Sequence, residues 1–250
     1  MSSRSVFDPL VNAYDAARPS YPPYLFRDLE RLAGSLADAR IVEVGAGTGI
    51  ATRQLVSRGA RVIAVELGVA MLSRLLERTP GVTGAVLGDG EALPLAPGVA
   101  DLVAYAQAWH WMSVPDAAAE AVRVLRPGGS LAVWWNDVDA ADTRWWQSQQ
   151  TRLEAMSPGY RRDYRTRPWA DELRWTGNFA EVVTLTGRWE RAMPIDAYLT
   201  WLRSKSYVAA TGDRLGDFLG SERDSLLHAF PDGTVVEPFR TVLVVARTDS

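Results

Sequence analysis

The feature that most constrains the fold is an alternation, from residue 40 onward, of short β-branched runs with helical patterns. This alternation is typical of a parallel sheet covered by helices on both faces. It predicts an α/β, doubly wound, mostly parallel seven-stranded sheet with a Rossmann-like topology. The predicted strands are 40–44, 61–66, 82–87, 100–106, 130–135, about 181–191 and 234–247.

Helical patterns fill the intervals between these strands. They lie at about 50–58, 69–78, 115–125, 195–206 and 213–230. No internal repeat or low-complexity linker divides the chain, so we expect residues 1–250 to form one domain. Its predicted parts are a core of about 22–137 with 181–191 and 234–247, an N-terminal lid of 1–21, and a helical cap of about 138–180 and 195–230.

Composition excludes several classes of chemistry. The chain has no cysteine and two histidines, and among its 27 basic residues Lys205 alone is lysine. Thiolate nucleophiles, disulfides and multi-histidine metal centres are therefore excluded, and no metal is predicted. A net charge of −3 disfavours nucleic acid as a partner, and the longest uncharged run, 14 residues, is too short to span a membrane. The N-terminus has no apolar leader, so we expect a cytoplasmic protein.

A glycine-rich segment follows the first predicted strand. Gly45-Ala46-Gly47-Thr48-Gly49 stands before a helical pattern. Glycines permit a tight bend and a close approach of a ligand to the backbone, and the following helix offers unpaired N–H groups. In a dinucleotide fingerprint the third glycine would stand at Ile50, so a nicotinamide cofactor is disfavoured.

Two acidic residues follow the next two strands. Glu66 comes 21 residues after Gly45, where a carboxylate can accept the two hydroxyl groups of a ribose. Asp89 can accept a hydrogen bond from an exocyclic amine, and Gly90 leaves room for a flat ring; an ordinary Asp-Gly turn is the alternative. Together the loop and the acids predict a ligand of the adenosine type.

These motifs, with Ala108-Trp109-His110-Trp111 and Arg126-Pro127-Gly128-Gly129, resemble the class I S-adenosylmethionine-dependent methyltransferases. More narrowly they are similar to the type 11 and trans-aconitate methyltransferase-like small-molecule branch. The resemblance covers about 10–137 closely and 181–247 loosely. It implies S-adenosylmethionine as the cofactor, bound by Tyr14, Arg18, Glu43, Gly45, Ala46, Gly47, Glu66, Leu67, Met71, Asp89, Gly90, Glu91 and Gln107. On the substrate side it implies Trp109, His110, Trp111, Trp135, Ser204 and Tyr207.

The implied reaction is an in-line displacement at the methyl group of a sulfonium, which requires no protein nucleophile and no metal. His110 is the predicted catalytic residue, either as a base toward a hydroxyl group or as a hydrogen-bond partner of a carboxylate; it could also only shape the pocket wall. We expect the acceptor to be an oxygen of a small organic molecule, and the protein to be a monomer or homodimer.

Arginine and tryptophan are interleaved in the cap, where residues 144–178 carry seven arginines and four acids. This pattern suits an anionic or flat substrate, and a solvated charged face is the alternative. Two other functions stay open at this point. They are a protein that binds S-adenosylmethionine without transferring the methyl group and, more remotely, a nicotinamide-dependent reductase.

Overall fold

The computed structural model describes residues 18–140, 143–157, 160, 168–209 and 212–249. Its strands are β1 (Arg40–Val44), β2 (Arg61–Glu66), β3 (Gly84–Leu87), β4 (Ala100–Ala106), β5 (Leu125–Val138), β6 (Glu181–Pro194) and β7 (Thr234–Arg247). They form one sheet in the order β3-β2-β1-β4-β5-β7-β6. Strand β7 is antiparallel to β5 and β6, and the pairs among β1 to β5 are parallel.

The described helices cover both faces of the sheet. They are α1 (Pro23–Ala33), α2 (Ile50–Val56), α3 (Val69–Arg78), α4 (Val114–Val124), α5 (Arg144–Met156), α6 (Trp169–Trp175), α7 (Ile195–Arg203), α8 (Ser206–Ala209) and α9 (Leu215–Ala229), with 3-10 turns at Trp109–Trp111 and Gly212–Arg214. Successive strand residues face opposite sides. Val42 and Val44 therefore join the core under α4 and α6, whereas Ile41 joins the core under α1 and α2.

The predicted fold class is confirmed, and β1, β2, β4 and β7 begin and end where the sequence predicted. Other bounds differ: β3 starts at Gly84 where 82 was predicted, and β6 continues to Pro194 beyond the predicted 191. Strand β5 starts at Leu125 because the chain leaving α4 pairs at once with Ala100. Helix α1, which begins at Pro23, was not predicted, and burial of Leu25, Phe26 and Leu29 stabilises it. Of the lid predicted at 1–21, residues 1–17 lie outside the described part.

The cap helices pack around their own core and a buried polar group. Glu222 of α9 is 1% exposed, and its carboxylate accepts hydrogen bonds from Gln149 Nε2 at 2.9 Å and Arg152 Nε at 2.5 Å. Tyr198 of α7 donates to Gln149 Oε1 at 3.0 Å. Because a buried carboxylate is stable only when its partners are present, this network fixes how α5, α7 and α9 meet.

Two absences hold for the described residues. None of their helices combines the length and the apolar character needed to cross a membrane. No three histidine, aspartate or glutamate side chains among them are grouped so that they could hold a metal ion.

Strand β1 buries a carboxyl group. Glu43 is 1% exposed, and its Oε2 has no hydrogen-bond partner among the described residues. Burial raises the pKa of Glu43 to about 8, because the charged form loses its hydration. Near neutral pH the side chain is therefore largely a protonated acid beneath the glycine loop.

Helix α1 contacts the outer strands β6 and β7 at a glycine, Gly187, which has no side chain. A Cβ atom on Gly187 of β6 would lie 2.5 Å from Cε2 of Tyr24. The Tyr24 hydroxyl forms a hydrogen bond of 2.9 Å with Thr241 Oγ1 of β7. The tyrosine therefore lies directly over the glycine.

We predict that Gly187→Ala lowers the free energy of unfolding by about 1–3 kcal/mol, because the added methyl group must displace the Tyr24 ring. Gly220→Ala is the matched control. It lies in helix α9 with no atom within 4 Å of the added Cβ, so this change should raise stability by about 0.5–1 kcal/mol. Urea unfolding measures both, and an unchanged Gly187→Ala midpoint contradicts the packing argument.

We predict that Glu43→Gln raises stability, and more at pH 8 than at pH 5. The folded-state pKa of Glu43 lies above its ordinary value of 4.5, so the folded protein binds more protons than the unfolded chain between these pH values. The stabilising contribution of Glu43 is complete below its ordinary pKa and is lost as the pH rises through about 8. The difference from wild type should therefore grow by about 3 kcal/mol between pH 5 and pH 8, because each pH unit over which the folded state alone stays protonated is worth about 1.4 kcal/mol. Glu181→Gln, at an exposed position, should show no such growth.

Candidate active site

The glycine-rich loop joins β1 to α2 in a left-handed backbone conformation. Gly45, Gly47 and Gly49 have φ angles of 66°, 58° and 84°, which favour glycine. A Cβ on Gly45 would lie 2.6 Å from the Cβ of Ala108, in the segment that follows β4. The absence of a side chain thus lets the loop and the segment after β4 touch at the carboxyl edge of the sheet.

The Glu66 carboxylate ends β2 and holds this loop in place. Its Oε2 accepts a hydrogen bond of 2.8 Å from the Gly47 N–H. Its Oε1 accepts bonds of 3.0 and 2.9 Å from the N–H groups of Leu67 and Gly68. An ionised carboxylate has about four acceptor positions, so the described contacts use most of its capacity.

The segment after β3 folds back on itself. Asp89 Oδ1 accepts a hydrogen bond of 3.1 Å from the Glu91 N–H, and Glu91 Oε1 accepts one of 2.8 Å from the Ser113 N–H. A Cβ on Gly90 would lie 2.8 Å from Val44 Cγ1 and 2.9 Å from Met112 Sδ. A side chain at residue 90 would therefore meet Val44 and Met112, so the glycine is required for internal packing.

The predicted adenine-side residues differ in exposure. Met71 is buried in α3, whereas Leu67 is 45% exposed in the turn after β2. Arg18 is half-buried at the start of the described chain. Tyr14 lies outside the described residues. The exposed Leu67 is therefore available to a ligand at the carboxyl edge, whereas Met71 is not.

Gln107 directly follows β4 and has a strained conformation. Its φ of 58° is unusual for a residue with a side chain. The backbone N–H donates to the Trp134 carbonyl at 2.9 Å, and the side-chain Nε2 donates to the Asn136 carbonyl at 2.8 Å. Its Oε1 is buried and has no hydrogen-bond partner among the described residues. Such strain is often found at functional sites, where surrounding contacts hold it.

His110 lies in the 3-10 turn after β4 and contacts two tryptophans. The indole Nε1–H of Trp135 donates to His110 Nδ1 at 3.3 Å. The His110 ring also lies against the Trp111 ring, with 4.7 Å between their centroids. Trp111 is 41% exposed, so this pair lies at the surface of the carboxyl edge.

Three residues predicted to bind substrate directly are corrected by the structure. Trp109 and Trp135 are 0% and 1% exposed and belong to the core under α4. Ser204 is 1% exposed, and its hydroxyl donates to the Trp201 carbonyl in its own helix. Sequence could not separate these residues from Trp111 because burial depends on the packing of α4 and α7. Tyr207 is half-buried, with its ring 4.6 Å from that of Tyr160.

Asn136 belongs to the site but was not predicted from the sequence. It is 4% exposed, and its Nδ2 donates to the Ser20 carbonyl at 3.3 Å. Its Oδ1 accepts a bond of 3.3 Å from Trp189 Nε1, while its carbonyl binds Gln107. A polar residue directly after an apolar strand was the available signal. Only the fold shows that Asn136 joins three parts of the chain: Ser20 before α1, Gln107 after β4, and Trp189 of β6.

The cap arginines are partly neutralised by the chain itself. Arg152 binds Glu222, and Arg174 binds Asp171 at 2.7 Å. Residues 161–167, which hold four of the seven arginines counted in the cap, lie outside the described part. Both interpretations of the cap, a substrate-facing surface and a solvated face, therefore stay open.

Comparisons with known proteins support one family. A family model described as a methyltransferase domain matches residues 42–133. An uncharacterised methyltransferase of Mycobacterium tuberculosis is 44% identical over 133 residues, which are 53% of this chain and 53% of that protein. This alignment spans about half the length of that relative. A malonyl-[acyl-carrier protein] O-methyltransferase of Methylococcus capsulatus is 42% identical over 99 residues, covering 38% of this chain and 36% of that protein.

A solved structure extends the similarity beyond the matched segment. The protein is described as a type II methyltransferase from Anaeromyxobacter dehalogenans and is 29% identical, with a TM-score of 0.71 over 93% of this chain and 97% of that chain. The predicted family is confirmed, and S-adenosylmethionine is the cofactor that this family uses. Residues 42–133 are therefore similar to the methyltransferase domain family, and most of the chain is similar in fold to a solved methyltransferase.

Proposed function

We propose that this protein transfers the methyl group of S-adenosylmethionine to an oxygen of a small organic acceptor. The observation that carries the proposal is the contact between Gly45 and Ala108 at the carboxyl edge of the sheet. Ala108 stands two residues before His110, whose imidazole is predicted to lie beside the acceptor. The contact therefore brings the glycine loop close to this part of the chain. In open α/β sheets, ligands bind at this edge where the strand order reverses, here between β1 and β4.

The side chains at this edge fit the cofactor. Glu43 Oε2 and Gln107 Oε1 are buried oxygens without hydrogen-bond partners among the described residues. Gln107 Oε1 can accept a hydrogen bond, and Glu43 can accept one through the carboxyl oxygen that does not carry its proton; the ammonium group of S-adenosylmethionine is a donor. A buried acceptor without a hydrogen-bond partner lowers the stability of the fold. These two oxygens therefore agree with a ligand that carries a cationic hydrogen-bond donor.

The roles that we propose follow the positions of the strands. Gly45, Ala46 and Gly47 would line the methionine and ribose, and Glu66 would contact the ribose while it holds the loop. The adenine would lie near Leu67, Met71, Asp89, Gly90 and Glu91, with Tyr14 and Arg18 closing from the N-terminal side. Because Gly90 is packed against Val44 and Met112, its contribution would be through the backbone.

When bound, the cofactor supplies a methyl group that is already activated on a positive sulfur. The task of the chain is then to align donor and acceptor and to exclude water. Gln107 would hold the cofactor side of the crevice through its strained position at the end of β4. His110 and Trp111 would contact the acceptor, and Asn136 would fix the wall between β4 and the cap through its three hydrogen bonds.

Two observations support an oxygen acceptor of small size. The relative from Methylococcus capsulatus is named as an O-methyltransferase, and its similarity covers 38% of this chain. The net charge of −3 does not favour nucleic acid. The single domain with lid and cap, the cytoplasmic location and a monomeric or homodimeric state remain predictions.

We predict that Glu66→Ala weakens binding of S-adenosylhomocysteine by roughly 10- to 100-fold, which corresponds to the loss of a charged hydrogen-bond acceptor. The loop would lose its contact at Gly47 as well. Glu77→Ala is the control, since Glu77 is 62% exposed and pairs with Arg74 on the outside of α3. Isothermal titration calorimetry measures the dissociation constants, and equal values for both variants would contradict the role of Glu66.

We predict that the protein transfers labelled methyl groups from S-adenosylmethionine to molecules of a metabolite extract. The product should be small enough to pass an ultrafiltration membrane. Binding of S-adenosylhomocysteine without any transfer would favour a protein that binds the cofactor without using its methyl group. Thermal stabilisation by a nicotinamide cofactor, but not by S-adenosylhomocysteine, would favour a reductase.

A further inference from the structure

Strand β6 is the outermost strand at one end of the sheet. It spans Glu181–Pro194 and pairs with β7 along its whole length. No strand of the described residues lies on its other side, because β6 stands last in the strand order. A long edge of this kind presents unpaired backbone N–H and C=O groups, to which another strand can bind.

The hydrogen bonds on either side of β7 show which residues of β6 face this edge. The Asp139 N–H donates to the Pro238 carbonyl at 2.8 Å, on the side of β5. The Ile195 N–H donates to the Gly233 carbonyl at 3.0 Å, on the side of β6. In an antiparallel pair, successive residues alternate between bonding to the partner strand and facing away from it. The odd-numbered residues of β6 therefore bond to β7, and the even-numbered residues direct their N–H and C=O groups outward.

The same even-numbered residues have exposed side chains, since successive side chains lie on opposite faces. Two of them, Arg188 and Glu190, carry opposite charges and stand two positions apart. Arg188 Nε donates to Asp139 Oδ2 at 2.6 Å. This ion pair is exposed and therefore contributes little to stability.

The stretch of β6 that is open to a further strand has defined ends. At one end the Val182 carbonyl already accepts a hydrogen bond of 3.0 Å from Arg174 Nη2 of α6. At the other end Pro194 has no N–H to donate. Between them the outward-facing residues run from Thr184 to Pro194. Trp189 stands at the centre of this stretch.

We propose that β6 pairs with β6 of a second copy of this chain, antiparallel and centred on Trp189, so that two seven-stranded sheets become one continuous sheet. In this register Arg188 lies opposite Glu190 of the partner subunit. The twofold axis generates the same pair again with the subunits exchanged, as an isologous interface requires. Opposite charges at facing positions stabilise a strand pair.

Charge favours this register over its neighbours. Centring the pair on residue 188 or 190 would place Arg188 or Glu190 opposite its own copy, and like charges at facing positions are destabilising. Centring on residue 187 or 191 would leave both charges opposite threonine, alanine or proline. The register centred on Trp189 is also the one in which Thr184 meets Pro194 of the partner subunit, so that the open stretches of the two strands coincide.

An exposed aromatic side chain lies beside the start of this edge. Trp175 follows Arg174, the residue that binds the Val182 carbonyl, and its side chain is 87% exposed. Tryptophan is enriched in protein interfaces relative to the rest of the surface. The position of Trp175 therefore agrees with a partner at the β6 edge.

Charge reversal tests the register. Sedimentation equilibrium of the whole wild-type protein should give twice the mass of one chain. Arg188→Glu and Glu190→Arg should each raise the dissociation constant of the dimer by about 10- to 100-fold, because each creates two like-charge pairs. The double variant should restore the dimer, since opposite charges face each other again. Glu77→Arg is the matched control, because it changes the charge equally at an exposed position of α3.

A proline substitution tests the backbone pairing. Thr186→Pro removes an outward N–H, and proline is tolerated at such positions of an edge strand. We therefore expect a folded monomer, with a far-UV circular dichroism spectrum like that of wild type. Thr186→Val keeps the N–H and should keep the dimer.

The outcomes that contradict the proposal are distinct. A wild-type protein that stays monomeric at all concentrations overturns it, as does a dimer that neither single reversal weakens. A dimer that the double variant fails to restore overturns the register, and a Thr186→Pro dimer overturns the pairing through β6. If Thr186→Pro does not fold, the charge variants decide. These measurements need neither cofactor nor acceptor, so their result is independent of the proposed function.

Discussion

The site depends on one steric constraint, the absence of a side chain at Gly45. A single Cβ there would lie 2.6 Å from the Cβ of Ala108, so any other residue would push the β1 loop away from the segment after β4. Because the parallel strands end at the same edge, this contact determines how close a cofactor loop can come to His110. Glu66 then holds the loop through the Gly47 N–H. The geometry is therefore set by backbone groups, and side chains at the edge are left for ligands.

Aromatic packing extends this arrangement from the sheet into the cap. Trp135 of β5 contacts His110 on one side and stacks on Trp169 of the cap on the other. Asn136, the next residue, forms hydrogen bonds with the Ser20 carbonyl before α1 and with Trp189 of β6. Adjacent residues in a strand point to opposite faces, so one strand end organises both sides of the crevice. The cap is thus joined to the candidate site through buried contacts.

Much of the core could be predicted from the sequence because its signals are local. The β-branched runs of β1, β2, β4 and β7 report burial on both sides of a sheet, and their bounds agree with the structure. Helix α1 escaped prediction because its stability comes from contact with distant strands. The site residues divide in the same way. The glycine loop and Glu66 were found by spacing, whereas the burial of Trp109, Trp135 and Ser204 depends on how α4 and α7 pack.

The sequence by itself determined the family, the cofactor loop and the shortage of protein-borne nucleophiles, since each is a matter of which residues exist and how far apart they stand. Tertiary structure alone decided what His110 contacts. No spacing relates it to Trp135, which lies 25 residues away on the neighbouring strand. A proton on one nitrogen or the other follows from the partner that each nitrogen meets. That partner is fixed only when β4, β5 and α6 come together.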